Sequence, residues 1–210
     1  MKQLQFITHT TVRYGYVDGA RLALEGGCRW IQLRMKHAPE EEIMNAIRQL
    51  KPMCAYYGAT LILDDHTGIA LRMGVDGVHL GKSDMDVAEA RKMAGKGFII
   101  GGTANTFDDI ATLVKKGADY VGLGPFRFTT TKERLSPILG LDGYRNILNQ
   151  CRKAGIHIPI VAIGGIVKED IPGLLETGIT GIAISSTILA ANDPVSETKE
   201  IMKLLDEQIY

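Results

Sequence analysis

Cations and carboxylates recur at short spacing in this 210-residue chain, and together they could handle phosphate. Arg34 and Lys36 follow Gln32-Leu33, with Met35 between them. Asp64-Asp65-His66 and then Gly81-Lys82-Ser83-Asp84 follow two later apolar runs, and Lys132 closes the stretch Thr129-Thr130-Thr131-Lys132. Carboxylates alone repel a phosphate. Acids set among cations therefore point to a bridging Mg²⁺, which takes a few carboxylates and fills its shell with phosphate oxygens and water. Cations with such a metal suit the stabilisation of charge on a departing diphosphate. Gly164-Gly165 and Ser185-Ser186 offer a second anion site, with unhindered backbone N–H groups and hydroxyls. The competing reading is structural: Asp64, Asp65 and Asp84 as helix caps or first-turn acids paired to nearby bases, the glycines and serines as tight turns. It explains any one of these residues better than it explains all of them on one rim.

What would place them on one rim is a repeated unit. Apolar, β-branched runs occur at Leu4–Ile7, Trp30–Leu33, Leu61–Leu63, Gly77–Leu80, Phe98–Ile100, Tyr120–Leu123, Ile158–Ile163 and Gly181–Ile184. Their spacing averages about 25 residues, room for a strand and a returning helix. Helical periodicity fills the gaps, as in Glu40–Tyr57, Val87–Met93, Asp108–Lys116 and Ser196–Gln208. Glycines stand before every run but the first, at Gly26-Gly27, Gly58, Gly74, Gly95/Gly97, Gly117, Gly155 and Gly178, where a helix would need a left-handed cap. Helix, glycine, strand, polar loop, repeated, predicts parallel strands with right-handed crossovers and a closed (β/α)8 TIM barrel spanning the chain as one domain. An open doubly wound sheet is disfavoured, since no Gly-x-Gly-x-x-Gly follows the first strand. In such a barrel the loops after the strands form the working face, and those loops carry the residues above, including Gly101-Gly102-Thr103 after the fifth strand.

Composition narrows the function classes. Lys+Arg and Asp+Glu both number 24, which argues against a nucleic-acid binder working by bulk charge. No apolar run approaches a membrane span, and the N-terminus turns polar too early for a secretory signal. Cys28, Cys54 and Cys151 lack any C-x-x-C spacing, so a disulfide framework is not expected and a reducing cytoplasm is. Nothing in the chain sets an oligomeric state. His79, inside the fourth strand, reads as a hydrogen-bonded interior residue, Arg127 has no assigned partner, and no nucleophile elbow appears.

Six motifs in register carry a resemblance: Gln32-Leu33-Arg34-x-Lys36; Asp64-Asp65; Gly77-Val78-His79-Leu80-Gly81 with Asp84; Tyr120–Pro125; Thr129-x-Thr131-Lys132; and Val161–Ile166. Together they resemble the thiamine phosphate synthase family of TIM-barrel enzymes. The resemblance implies small-molecule substrates, a hydroxymethylpyrimidine diphosphate and a thiazole phosphate, joined with release of diphosphate. It implies that the segment 32–36, Asp64, Thr103 and Lys132 hold the pyrimidine diphosphate, that Asp65 and Asp84 carry Mg²⁺, and that Thr129–Thr131, Gly165, Ser185 and Ser186 receive the thiazole phosphate. Arg34, Lys36 and Lys132 would stabilise the leaving diphosphate in a dissociative substitution needing no protein nucleophile, with the loop from Phe126 to Ile138 long enough to serve as a lid. Three positions depart from the family pattern: Asp64 for Asn, Thr103 for Ser, Lys82 for Gln. An ionised acid at 64 cannot donate to a diphosphate, so it would bind metal or turn away. The alternatives are a thiazole tautomerase, a non-catalytic thiazole-phosphate-binding barrel, and a phosphosugar isomerase using His79 with Asp64; the complete cation–acid set favours the synthase.

Overall fold

Eight parallel strands close on themselves in chain order in this computed structural model, which describes residues 3–128 and 137–207. They are β1 (Gln3–Ile7), β2 (Trp30–Leu33), β3 (Thr60–Asp64), β4 (Gly77–Leu80), β5 (Ile99–Ala104), β6 (Tyr120–Leu123), β7 (Ile160–Ile163) and β8 (Gly181–Ile184). Closure runs through β1 and β8, with Leu4 opposite Ile182 and Phe6 opposite Ile184. The TIM barrel expected from the repeat is the fold. Among the described residues no helix is long and apolar enough to cross a membrane.

The helices outside the barrel are α1 (Tyr16–Glu25), α2 (Glu40–Tyr57), α3 (Thr67–Met73), α4 (Val87–Ala94), α5 (Phe107–Lys115), α6 (Gly140–Lys153), α7 (Ile171–Glu176), α8 (Ser186–Leu189) and α9 (Pro194–Glu207). In α2, Ile43, Ala46, Ile47, Leu50 and Cys54 form the apolar stripe that meets the barrel, while Glu40, Glu41 and Glu42 complement the positive end of the helix. It stops at Gly58, whose φ of 62° is the left-handed cap the glycine pattern called for, and α3 stops the same way at Gly74 with φ 61°.

Strand alternation splits the apolar residues into two layers. Phe6, Ile31, Leu33, Leu61, Leu63, Val78, Leu80, Val121 and Leu123 join the helices in the main core. Ile62, Tyr120, Val161 and Ala183 pack on the barrel axis with Ile7, Trp30, Ile99 and Ile163 around them.

Strand β1 starts one residue earlier than its apolar run and β3 gains one residue at each end, so that Asp64 closes the strand; β5 and β7 shift further. Gly101-Gly102-Thr103 belong to β5 itself and not to the loop after it. Both glycines serve close approach: a Cβ on Gly102 would lie 2.5 Å from Leu113 Cδ2, and one on Gly101 would lie 2.1 Å from the Tyr120 ring. At β7 the strand starts at Ile160, because Pro159 has no N–H for the ladder. Helix α9 begins at Pro194, two residues earlier than its periodicity suggested, and Gln208 lies outside the described residues.

Candidate active site

The polar residues of the chain's chemistry gather where the strands end. Along β2 and its loop, alternation sends Leu33 and Met35 into the main core, 0% and 6% exposed, so neither side chain lines the mouth and any part they play is through backbone. Gln32, Arg34 and Lys36 take the other side. Gln32 Nε2 donates to Asp64 Oδ1 at 2.6 Å, and Arg34 Nε lies 3.5 Å from Asp64 Oδ2. Lys36 Nζ lies 3.6 Å from Asp84 Oδ1, and the other oxygen of Asp84 accepts from the Gly81 N–H at 2.7 Å. Arg34 thus rests against an acid at the end of the adjoining β3, and Lys36 against one on the loop after β4, two strands away. Thr8, 0% exposed, braces this rim by accepting from the Arg34 N–H at 3.0 Å.

Asp65 turns the chain at the end of β3 with φ 71°, the left-handed region that a non-glycine residue enters at a cost of about 1 kcal/mol. Its N–H donates to the His79 carbonyl at 2.8 Å, which ties the turn to β4. Beneath the mouth runs a buried polar chain. Gln5 Nε2 donates to the Tyr120 hydroxyl at 3.1 Å, that hydroxyl meets His79 Nδ1 at 2.8 Å, and His79 Nε2 meets Thr103 Oγ1 at 3.0 Å. His79 is therefore the interior, hydrogen-bonded residue its position suggested, and its ring also fixes the Thr103 hydroxyl.

Across the mouth, Gly164 and Gly165 turn at φ 100° and 67°. The loop after β6 crosses them: Arg127 N–H donates to the Gly164 carbonyl and Arg127 Nη1 to the Gly165 carbonyl, each at 2.9 Å. The same guanidinium grips both oxygens of Asp170 at 2.8 Å, which gives Arg127 its partner and makes it a brace. Ser185 Oγ donates to the Ile7 carbonyl and lies 2.5 Å from His9 Nδ1. Its one proton is thereby used, and the Ser186 hydroxyl, on the exposed first turn of α8, is the donor left at this end. Thr129, Thr130, Thr131 and Lys132 lie outside the described residues.

The family model described as thiamine monophosphate synthase matches residues 4–188. The chain belongs to that family. A thiamine-phosphate synthase of Phocaeicola vulgatus is 63% identical over 202 residues, covering 96% of this chain and 97% of that one. One of Bacteroides fragilis is 61% identical over 204 residues, covering 97% of this chain and all of the relative. Among solved structures, a thiamine phosphate pyrophosphorylase from Pyrococcus furiosus superposes with a TM-score of 0.88 at 35% identity, covering 99% of this chain and 97% of that one. Membership of the thiamine monophosphate synthase family makes the chain a transferase.

Whether Mg²⁺ suits this mouth can be judged from the donors. Among the described residues no cluster of three or more His, Cys, Asp or Glu converges on one point. Mg²⁺ does not require one, since one or two carboxylates with phosphate oxygens and water complete its shell. Asp65 and Asp84, on adjoining strand ends, are such a pair, and the all-oxygen donor set fits the ion.

Two features escaped the sequence reading. Lys82 stands two residues from Asp84 in the chain, yet its ammonium donates to Asp109 at 2.7 Å, in the capping box of α5. His9, on the loop after β1, joins the mouth, and the polar run Thr8-His9-Thr10-Thr11 directly after an apolar strand was the available signal.

Asp64 is the departure from the family pattern with a measurable consequence. Burial pushes its carboxyl up to about 6, outweighing the pull of Arg34. The folded chain therefore holds this proton more tightly than the unfolded one. The stabilisation that protonation gives is complete below the unfolded value near 4 and is lost as pH rises through about 6. Asp64→Asn, which removes the titration, is expected to gain stability relative to the parent as pH rises from 5 to 8, by about 1–3 kcal/mol without ligand. Urea denaturation at the two pH values measures it; a difference between variant and parent that does not change with pH would refute it.

Proposed function

We propose that this chain is a thiamine phosphate synthase, condensing a hydroxymethylpyrimidine diphosphate with a thiazole phosphate to give thiamine phosphate and diphosphate. The observation that carries the reading is the resting arrangement of Arg34 on Asp64 and Lys36 on Asp84, in a member of this family. These are two part-buried cations, already aimed at one place, whose carboxylate partners a diphosphate can displace. In this reading Gln32, Arg34, Lys36, Asp64, Thr103 and Lys132 surround the pyrimidine diphosphate, with the backbone at Leu33 and Met35. Thr129–Thr131, Gly165 and Ser186 receive the thiazole phosphate, with Ser185 taking part through its backbone because its hydroxyl proton is spent on Ile7. Asp65 and Asp84 would hold Mg²⁺, which supplies charge neutralisation on the diphosphate when bound.

The substitution follows from what the residues can and cannot do. The C–O bond to the diphosphate breaks with its electron pair leaving on oxygen, and Arg34, Lys36 and Lys132 stabilise that charge. The methylene cation left behind is captured by the lone pair of the thiazole nitrogen. No base is needed, which agrees with His79, beneath the mouth, being tied to Tyr120 and Thr103. What the barrel supplies is alignment of two anions at adjacent ends and exclusion of water from the cation. The free, buried cysteines suit a cytoplasmic setting, where thiols stay reduced.

The test mixes the purified protein with both substrates, with and without Mg²⁺, and follows thiamine phosphate by its fluorescent oxidation product. Metal-dependent product supports the synthase. Binding of thiazole phosphate without any product overturns it and makes the tautomerase or the non-catalytic thiazole-phosphate-binding barrel the working reading.

A further inference from the structure

His9 has been given no part so far, and its hydrogen bonds fix more about it than its position alone. Ser185 Oγ lies within bonding reach of two groups, the Ile7 carbonyl and His9 Nδ1. A carbonyl can only accept, so the single hydroxyl proton of Ser185 goes to Ile7. The bond of 2.5 Å to His9 then has to run the other way, with Nδ1–H donating into Ser185 Oγ. That sets the tautomer. In the neutral ring Nε2 bears a bare lone pair, on the side of the imidazole away from Ser185. The ring is half-buried at the mouth, where β1 passes between the serine loop after β8 and Arg34 after β2.

The charges facing it are few. Arg34 acts on the ring from the β2 side, the Ser185 hydroxyl and the Ile7 carbonyl bond its other face, and among the described residues no carboxylate is paired with it. Burial and, second, Arg34 hold His9 below the usual histidine value, so the resting ring is neutral. A lone pair beside a guanidinium, at a mouth built for phosphate, is an unfinished arrangement. An incoming anion cancels the Arg34 field, and it gains a donor from this ring only when Nε2 takes a proton.

We propose that His9 is a further substrate-binding residue of this site, taking a proton from solvent at Nε2 and donating it as a hydrogen bond to an oxygen of a bound phosphate group. The proposal rests on the reading of the mouth as a phosphate site. The ring then bridges the two anion ends, with Nδ1–H on Ser185 and Nε2–H on the phosphate. The group it meets belongs either to the thiazole phosphate or to the diphosphate, and the two ligands separate these sources.

Sulfate is the first probe, because it stays a dianion throughout the neutral range and carries no proton of its own to confuse the count. Calorimetric titration of the whole protein with sulfate, in two buffers of different ionisation enthalpy near pH 7.5, should show proton uptake on binding. His9→Asn keeps a side-chain amide where Nδ1 stands, and so keeps the bond to Ser185, but has nothing in place of Nε2. In that variant proton uptake should vanish and affinity should fall about tenfold, the loss of one charge-assisted bond. His9→Gln puts a neutral N–H near the Nε2 position, and should recover part of the affinity with no proton uptake. Repeating the comparison with thiazole phosphate and with inorganic diphosphate identifies the source as the ligand that loses affinity in His9→Asn. Uptake that persists in His9→Asn, or parent-like affinity for all three anions, overturns the proposal and leaves His9 as a brace for Ser185. None of these readouts needs turnover, so a failed product assay and a failed role for His9 are told apart in the same preparation.

Discussion

Arg34→Ala is expected to lower kcat/KM for the pyrimidine diphosphate by about 10²–10³-fold, the range for deleting one preorganised donor from developing negative charge. The guanidinium is part-buried, with a side-chain exposure of 26%, and is held from two sides: Thr8 fixes its backbone N–H and Asp64 its Nε. It therefore meets the leaving group without having to be ordered first. Arg34→Lys keeps the charge but loses the planar fork that spans two oxygens, and should retain activity between those of Arg34→Ala and the parent. Lys82→Ala is the matching control. Lys82 lies close in sequence to Asp84, yet its ammonium is committed to Asp109 on α5, so turnover should stay within about twofold of the parent. Steady-state kinetics at saturating Mg²⁺, with thiazole phosphate held in excess, separates the three. A parent-like rate in Arg34→Ala, or a loss in Lys82→Ala as large as that in Arg34→Ala, would refute this assignment of charges.

The contrast between those two cations shows what the sequence discloses. The barrel was legible because it is written as a period: an apolar stripe ended by Gly58, then a strand, and again an apolar stripe ended by Gly74. The limits of α2 could be read to the residue, since Glu40–Glu42 and Gly58 mark both ends with independent signals. Glycine in other settings misled. Gly101-Gly102 reads as a turn by composition, while in the fold both lie flat in β5 to admit Tyr120 and Leu113 from neighbouring elements. Those neighbours are set by curvature and shear, which no local pattern encodes. The residues of the mouth were legible as a set because the repeat assigns every loop after a strand to one face. Their pairings were not. That Gln32 serves Asp64, that Arg127 grips Asp170, and that His9 meets Ser185 across 176 residues are consequences of which strand ends adjoin in the closed barrel.

Gly101→Ala is expected to cost about 3 kcal/mol or more in folding stability, although it adds one methyl group and asks nothing unusual of the backbone. The added Cβ would fall 2.1 Å from Tyr120 Cζ and 2.5 Å from its hydroxyl, well inside contact distance. A flexible side chain could step aside, but Tyr120 cannot. It is 3% exposed, its ring packs edge-on to Trp30 at 4.7 Å, and its hydroxyl is held by Gln5 and His79. Moving the ring breaks those bonds inside a low-dielectric interior and leaves the groups unmet, where each orphaned partner costs about 1–3 kcal/mol. The damage also travels upward, because His79 positions the Thr103 hydroxyl at the mouth. Whatever folded protein remains should therefore bind diphosphate more weakly as well. Gly68→Ala gives the opposite sign by the same reasoning. Gly68 lies in α3, where an added Cβ would meet no atom within 4 Å, and alanine there removes the helix penalty of glycine, stabilising by roughly 0.5–1 kcal/mol. Urea denaturation of both variants decides the matter, and a Gly101→Ala protein within about 1 kcal/mol of the parent would mean that the Tyr120 ring is not confined as the packing requires.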